Sequence, residues 1–257
     1  MRRLFGITTT LVVALTSLAV SPLNANASTQ TIACSTSGSF SVTSGQVHSG
    51  GTCAGQATLP DGVTSIGASA FSGATSLSSV NFPSTLSSIG SQAFKSATSL
   101  TSISLPASLT EIDTQAFFDT RLRSLTIPAS VTTIRNDSFG RISTLTSITF
   151  PSTLIAISPG AFFDATTLAT VTIPASVTTI GQYAFGNTAL TNVNFDGNAP
   201  ASVHADAFYR APNGAKANIV EGATGFGEIG NTWRGLTLTR IIPPPPPPVS
   251  YTHLTLP

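Results

Sequence analysis

Hydrophobic positions in this chain recur in a fixed order, with a period of about twenty-three residues. Each unit carries a segment of the form Leu-x-x-hydrophobic-x-hydrophobic. The copies are Leu77, Val80, Phe82; Leu100, Ile103, Leu105; Leu122, Leu125, Ile127; Leu145, Ile148, Phe150; Leu168, Val171, Ile173; and Leu190, Val193, Phe195. The last two apolar residues of each copy alternate with polar ones, the period of a half-buried strand. Pro83, Pro106, Pro128, Pro151 and Pro174 follow the first five copies, and Pro60 opens the series. Proline has no N–H to give a sheet ladder, so each one predicts a strand end. A second apolar pair comes next, as in Val131 with Ile134 or Val177 with Ile180. A small residue and a large one follow: Ala70-Phe71, Ala93-Phe94, Ala116-Phe117, Ser138-Phe139, Ala161-Phe162 and Ala184-Phe185. These pairs predict a single helical turn whose phenylalanine fills the space between two faces.

Successive prolines lie 23 residues apart, except that Pro106 and Pro128 are 22 apart. The missing residue falls between Phe117 and Leu122. The last unit loses one at the same place, between Phe185 and Leu190. Length changes confined to a loop leave the strand register intact. No unit can cover its own inward residues, so successive units must stack. The expected fold is α/β or mainly β: a right-handed solenoid of short parallel strands and single helical turns.

Composition agrees with stacked strands. The chain has 257 residues, 41% hydrophobic and only 8% charged, with Ser and Thr supplying the polarity. The few charges follow the repeat. Asp113 and Arg135 share one column, and Asp119, Arg141 and Asp164 form another of alternating sign. Gln92, Gln115, Asp137 and Gln182 are expected to form a third, nine places after the proline. Stacking makes pairing feasible within each column, which argues against an anion site built from Arg121, Arg123, Arg135 and Arg141.

The ends carry separate signals. Arg2 and Arg3, an apolar run over residues 4–20 and Ala25-Asn26-Ala27 predict a signal peptide over residues 1–27, cleaved after Ala27. The run is short for a bilayer span and stops at Ser21-Pro22, and no membrane span is expected in the mature segment. Cleavage leaves nine basic against ten acidic residues. That balance does not point to nucleic acid or an anionic membrane as partner, because both call for a basic face. Cys34 and Cys53 lie in an N-terminal cap over residues 28–58 and are expected to pair in an exported chain, two free thiols being the alternative. Six prolines at 243–248 are expected to form an extended linker. Residues 249–257 resemble the translated end of a sequencing adaptor, so they read as non-native and His253 enters no site.

Catalytic chemistry is not visible. His48 and His204 have no carboxylate or cysteine at metal-ligand spacing, and Asp206 beside His204 lacks a nucleophile. Ser49-Gly50-Gly51 lacks the strand-to-helix setting of a phosphate loop. The reading is therefore non-enzymatic, with no catalytic residues, no metal and no cofactor.

The unit strongly resembles the BspA-like leucine-rich repeats. Thr126-Ile127-Pro128-Ala129-Ser130-Val131-Thr132-Thr133-Ile134 and the near-identical 172–180 carry that likeness, which extends over residues 59 to about 240. The resemblance implies a secreted or cell-surface bacterial protein that adheres to other proteins. Six repeats would span 59–195, with a divergent repeat and C-terminal cap over 196–242. The segment from Gly222 to Leu236 looks like the family's closing unit. It implies a final strand over 231–238, with Trp233 covering the last coil. The regular asparagine ladder of animal leucine-rich repeats is missing, and Ala74, Ala97 and Ala165 stand where relatives often carry cysteine.

Strand alternation places Ser79, Asn81, Ser102, Ser104, Ser124, Thr126, Ser147, Thr149, Thr170, Thr172, Asn192 and Asn194 on the outside. Together they predict a neutral face of hydroxyls and amides able to bind an extracellular or surface protein, or a glycan. The alternatives are a spacer that displays a further C-terminal domain, and an ice- or glycan-binding Ser/Thr face.

Overall fold

The computed structural model describes residues 29–241. The expected signal peptide and its cleavage site, the proline linker and residues 249–257 lie outside the described residues.

Nineteen short strands make about eight coils, with no helix among the described residues. Each coil has three lines of contact with its neighbours. The first is the predicted strand, for example Leu77–Asn81 or Thr170–Ile173, pairing in parallel and in register. Each proline then opens a turn, its carbonyl accepting from the N–H three residues on at 3.0–3.2 Å. A second, two-residue strand follows, as in Ser65–Ile66, Ser88–Ile89 and Thr179–Ile180. The second member of the apolar pair seen in the sequence thus lies in a strand, with its isoleucine pointing inward, while the first closes the proline turn.

The Ala-Phe segment is not the expected helical turn; it is the third ladder. The N–H groups of Gln92, Phe94 and Ser96 donate to the carbonyls of Thr114, Ala116 and Phe118 in the next coil, at 2.9, 2.7 and 2.8 Å. The intervening N–H groups of Ala93, Lys95 and Ala97 close turns within the coil, on Gly90, Gln92 and Phe94 at 3.1–3.2 Å. A helix directs every N–H along one axis. Here alternate groups serve the neighbouring coil, and the reversal is made by left-handed residues such as Gln92 and Ser96, both at φ 57°. Position nine in the Pro174 coil is Tyr183 (φ 54°), so the expected place of Gln182 in that column is corrected by one residue. Glycine occupies it once, as Gly160 (φ 65°).

This ladder holds the core. Phe71, Phe94, Phe117, Phe139, Phe162, Phe185 and Phe208 stack with centroids 5.1–5.6 Å apart and planes within 11°. Beside them each coil buries its own set; the Pro83 coil contributes Leu86, Ile89, Ala93, Ala97 and Leu100. In the two shortened coils the residue three after phenylalanine is Thr120 or Thr188. Both are buried, and their hydroxyls donate back to Phe117 and Phe185 carbonyls at 3.0 and 2.9 Å. Replacing Thr120 by Val is expected to cost about 1 kcal/mol and Thr120→Ser much less, a difference that denaturant titration would resolve.

Much of the Ser/Thr content is structural. Two places after the proline, Thr85, Ser108, Thr153 and Ser176 donate to main-chain carbonyls of the preceding coil at 2.6–2.7 Å. Charge pairing is sparser than the columns suggest. Arg135 meets Glu111 at 2.8 Å and its column partner Asp113 only at 3.9 Å. Arg141 makes no ion pair with Asp119 or Asp164 and lies over the Phe118 ring at 5.8 Å. Those carboxylates accept instead from Ser96 and Asn187.

Hairpins close both ends. Strands Gln30–Ala33, Ser39–Thr43 and Gln46–Ser49 run antiparallel before the first coil, and Cys34 and Cys53 form a disulfide with Cα atoms 5.5 Å apart. At the other end, the single strand expected over 231–238 is two: Thr232–Trp233 and Leu236–Arg240 pair antiparallel around Arg234 and Gly235. Both turn residues have positive φ (52° and 86°), which matches a tight hairpin. Trp233 packs edge-on against Phe195 and Phe226 at 5.4 and 5.0 Å. The unexpected strand Lys216–Ile219 lies between the last full coil and this hairpin.

Candidate binding face

The twelve outward positions do share one face. Ser124 pairs in register with Ser147, Thr126 with Thr149, Thr170 with Asn192 and Thr172 with Asn194. Ser79 and Asn81 stand opposite Gln56 and Thr58. Ser79, Asn192 and Asn194 are half-buried and the other nine are exposed.

The face has bonded ends and a free middle: at the N-terminal end Gln56 donates to Asn81 at 3.4 Å and Asn81 to Thr58 at 3.5 Å. Toward the C-terminus its side chains bond one another. Asn194 donates to Thr172 at 3.4 Å, Asn218 to Asn194 at 2.8 Å, and Thr239 to Asn218 at 2.5 Å. In the middle, among the described residues, the hydroxyls of Ser102, Ser104, Ser124, Thr126, Ser147 and Thr149 make no hydrogen bond within the protein. They differ from the Ser and Thr columns that tie coil to coil, and are free to meet a ligand.

The main chain opens at the same place. Residues 101–105 form no strand, although Leu100, Ile103 and Leu105 fit the pattern. Two bonds join the coils at its start, Arg121 N–H to Leu100 at 3.2 Å and Arg123 N–H to Thr101 at 3.2 Å. Beyond them, residues 102–105 have no backbone hydrogen bond to either neighbouring coil. A groove runs on each side. One, of about 320 Å³, is lined by Ile103, Ser104, Leu105, Ser124 and Thr126. The other, of about 480 Å³, is lined by Val80, Asn81, Phe82, Ser104 and Pro106. Ile103 and Leu105 are only half-buried, whereas the equivalent Leu125 and Ile127 are buried. Ser104 therefore stands on a ridge of unpaired main chain between two grooves with apolar floors. Alternation identified the residues; the grooves had no sequence signal.

The histidines add no chemistry to this face. His204 Nδ1 accepts from the Asp206 N–H at 3.1 Å and lies 3.7 Å from its carboxylate, each side chain 44% exposed. Among the described residues no three His, Cys, Asp or Glu side chains gather as a metal site, and no helix is long and apolar enough to cross a membrane.

Comparison with known proteins agrees with the coil geometry. Residues 52–162 and 142–230 match the BspA type leucine rich repeat region in six copies. The chain belongs to this family. Among solved structures it is similar to the T. pallidum leucine rich repeat protein TpLRR, at 28% identity and a TM-score of 0.57, over 65% of this chain and 83% of that one. It also resembles a leucine rich cell surface protein of Faecalibacterium prausnitzii A2-165, at 25% identity and TM-score 0.47, over 68% of this chain and 55% of that one. A leucine-rich repeat protein of Bacteroides ovatus shares 18% identity, TM-score 0.46, over 82% and 66%. No curated protein matches the chain. The BspA type match fixes the unit as a leucine-rich repeat and leaves specificity to the exposed positions, where repeat proteins differ most.

Proposed function

We propose that this BspA type chain is an exported, non-enzymatic surface protein that adheres to a protein partner through its strand face. The observation that carries the reading is the open main chain at 102–105, set among hydroxyls that have no partner of their own. An extended partner segment entering the first groove meets unpaired N–H and C=O groups, the Ser104, Ser124 and Thr126 hydroxyls, and an apolar floor from Ile103 and Leu105; in the second it meets Asn81 and Ser104 over Val80 and Phe82. Main-chain pairing of this kind gives affinity with little demand on partner sequence. Strong single-site binding usually rests on aromatic or arginine anchors, whereas the six free side chains in the middle of this face are all Ser or Thr. Adhesion here therefore depends on many copies acting together. The signal-like residues 1–27 support export, and leucine-rich repeat relatives typically bind proteins.

Surface plasmon resonance of the immobilised full chain against a panel of purified matrix proteins tests this. Saturable binding to at least one is expected, weakened about tenfold or more by Ser104→Glu together with Thr126→Glu. Absence of saturable binding, or binding that the double variant leaves unchanged, would refute the reading.

A further inference from the structure

A second surface lies along the turn ladder. Twelve places after Pro106, Pro128, Pro151 and Pro174 the chain alternates aromatic and glycine: Phe118, Gly140, Phe163 and Gly186, with Tyr209 continuing the series in the next coil. Each glycine makes room for the ring of the preceding coil. A Cβ at Gly140 would lie 3.0 Å from Phe118 Cδ2, and one at Gly186 3.2 Å from Phe163 Cδ2. In the coil between Phe163 and Tyr209 the aromatic residue moves to position nine, as Tyr183. Three consecutive coils therefore carry a zigzag of rings, with Phe163 and Tyr183 6.3 Å apart and Tyr183 and Tyr209 5.3 Å apart. Tyr183 and Tyr209 are 36% and 43% exposed, and the core stack of Phe162, Phe185 and Phe208 is complete without them.

Polar groups surround the rings in two hollows. The first, of about 210 Å³, is lined by Asn136, Asp137, Gly160, Phe163, Gln182 and Tyr183. It exists because Gly160 stands where other coils carry a side chain, and a Cβ there would run into the Asp137 carboxylate. The second, of about 240 Å³, is lined by Asp206, Tyr209, Arg210 and Arg234. Each hollow pairs an exposed ring with a carboxylate and with amide or guanidinium donors. That combination suits a sugar, whose C–H face lies on an aromatic ring while its hydroxyls both donate and accept. The spacing fits as well. Stacked coils repeat about every 4.7–4.9 Å, a spacing that successive sugars of an extended β-linked hexose chain can follow.

We propose that this edge binds an extended β-1,4-linked polysaccharide, with successive sugars on successive coils from Phe163 to Tyr209. Calorimetric titration of the full chain with cellohexaose and with the β-1,4 hexamer of N-acetylglucosamine tests it, with maltohexaose as the α-linked control. At least one β-linked hexamer is expected to bind, maltohexaose is not, and Tyr183→Ala or Tyr209→Ala should each weaken binding about tenfold. Unchanged thermal unfolding of the variants would assign the loss to the contact. Ser104→Glu with Thr126→Glu should leave sugar binding intact, so failure of the strand-face reading remains distinguishable. The proposal is overturned by no binding of either β-linked hexamer, by equal binding of maltohexaose, or by full affinity in the double tyrosine variant. It is equally overturned if the tyrosines prove necessary only for a protein partner.

Discussion

Replacing Phe117 by Ala is expected to destabilise the protein by about 3–5 kcal/mol, within the range for emptying a fully buried aromatic site. Its ring is fully buried between Phe94 and Phe139, with centroids 5.1 and 5.4 Å away. The gap cannot close by collapse. The Phe94 N–H to Ala116 and Phe117 N–H to Ser138 bonds, at 2.7 and 2.8 Å, fix the coil spacing on both sides. Because each coil touches only its neighbours, the defect also uncouples the two halves of the solenoid. Urea unfolding followed by circular dichroism and by Trp233 fluorescence should then give two separate midpoints. Coincident curves at the parent midpoint would contradict the shared-core description.

Breaking the disulfide with Cys34→Ser and Cys53→Ser should cost about 3 kcal/mol, the chain-entropy value for a loop of this size. The two cysteines are 19 residues apart in sequence and both are buried. The loss should be local. Amides in Gln30–Ala33 and Ser39–Thr43 should lose exchange protection, while those in Asn192–Phe195 keep theirs. No loss at the first two strands would show that the hairpin cap does not depend on the bond, and equal loss at both ends that its effect is not local.

The solenoid was legible because its interior is written as a repeating inward pattern. Alternation at Val80 and Phe82, or Val171 and Ile173, gives strand and facing together, and Pro83 or Pro174 marks the end. The Ala-Phe segment misled because a small residue beside a large one, three or four places from the next apolar residue, also describes a helical turn. What decides against a helix is the neighbouring coil, which takes the N–H of Phe94 and Ser96, and no local pattern displays that competition. The closing hairpin was missed for a plainer reason: Trp233 and Leu236 fit one strand until Gly235 is given its turn. Of the binding face, alternation found the positions of Ser104 and Thr126. The grooves depend on how far adjacent coils stand apart, which a single coil's sequence does not encode. The aromatic row was written plainly, with Phe118, Phe163 and Tyr209 each next to a core phenylalanine. It went unread because the same position holds Ser72 and Lys95 in the first two coils and glycine in two others, so no uniform column marks it.

Hydrogen–deuterium exchange of the free protein, resolved to single amides, tests the proposed face most directly. The amides of residues 102–105 should exchange at nearly unprotected rates, while Leu125, Ile127 and Thr149 stay protected in the same experiment. Protection of 102–105 equal to that of their neighbours would mean the sheet is closed there, and the grooved ridge offered as the contact surface would not exist.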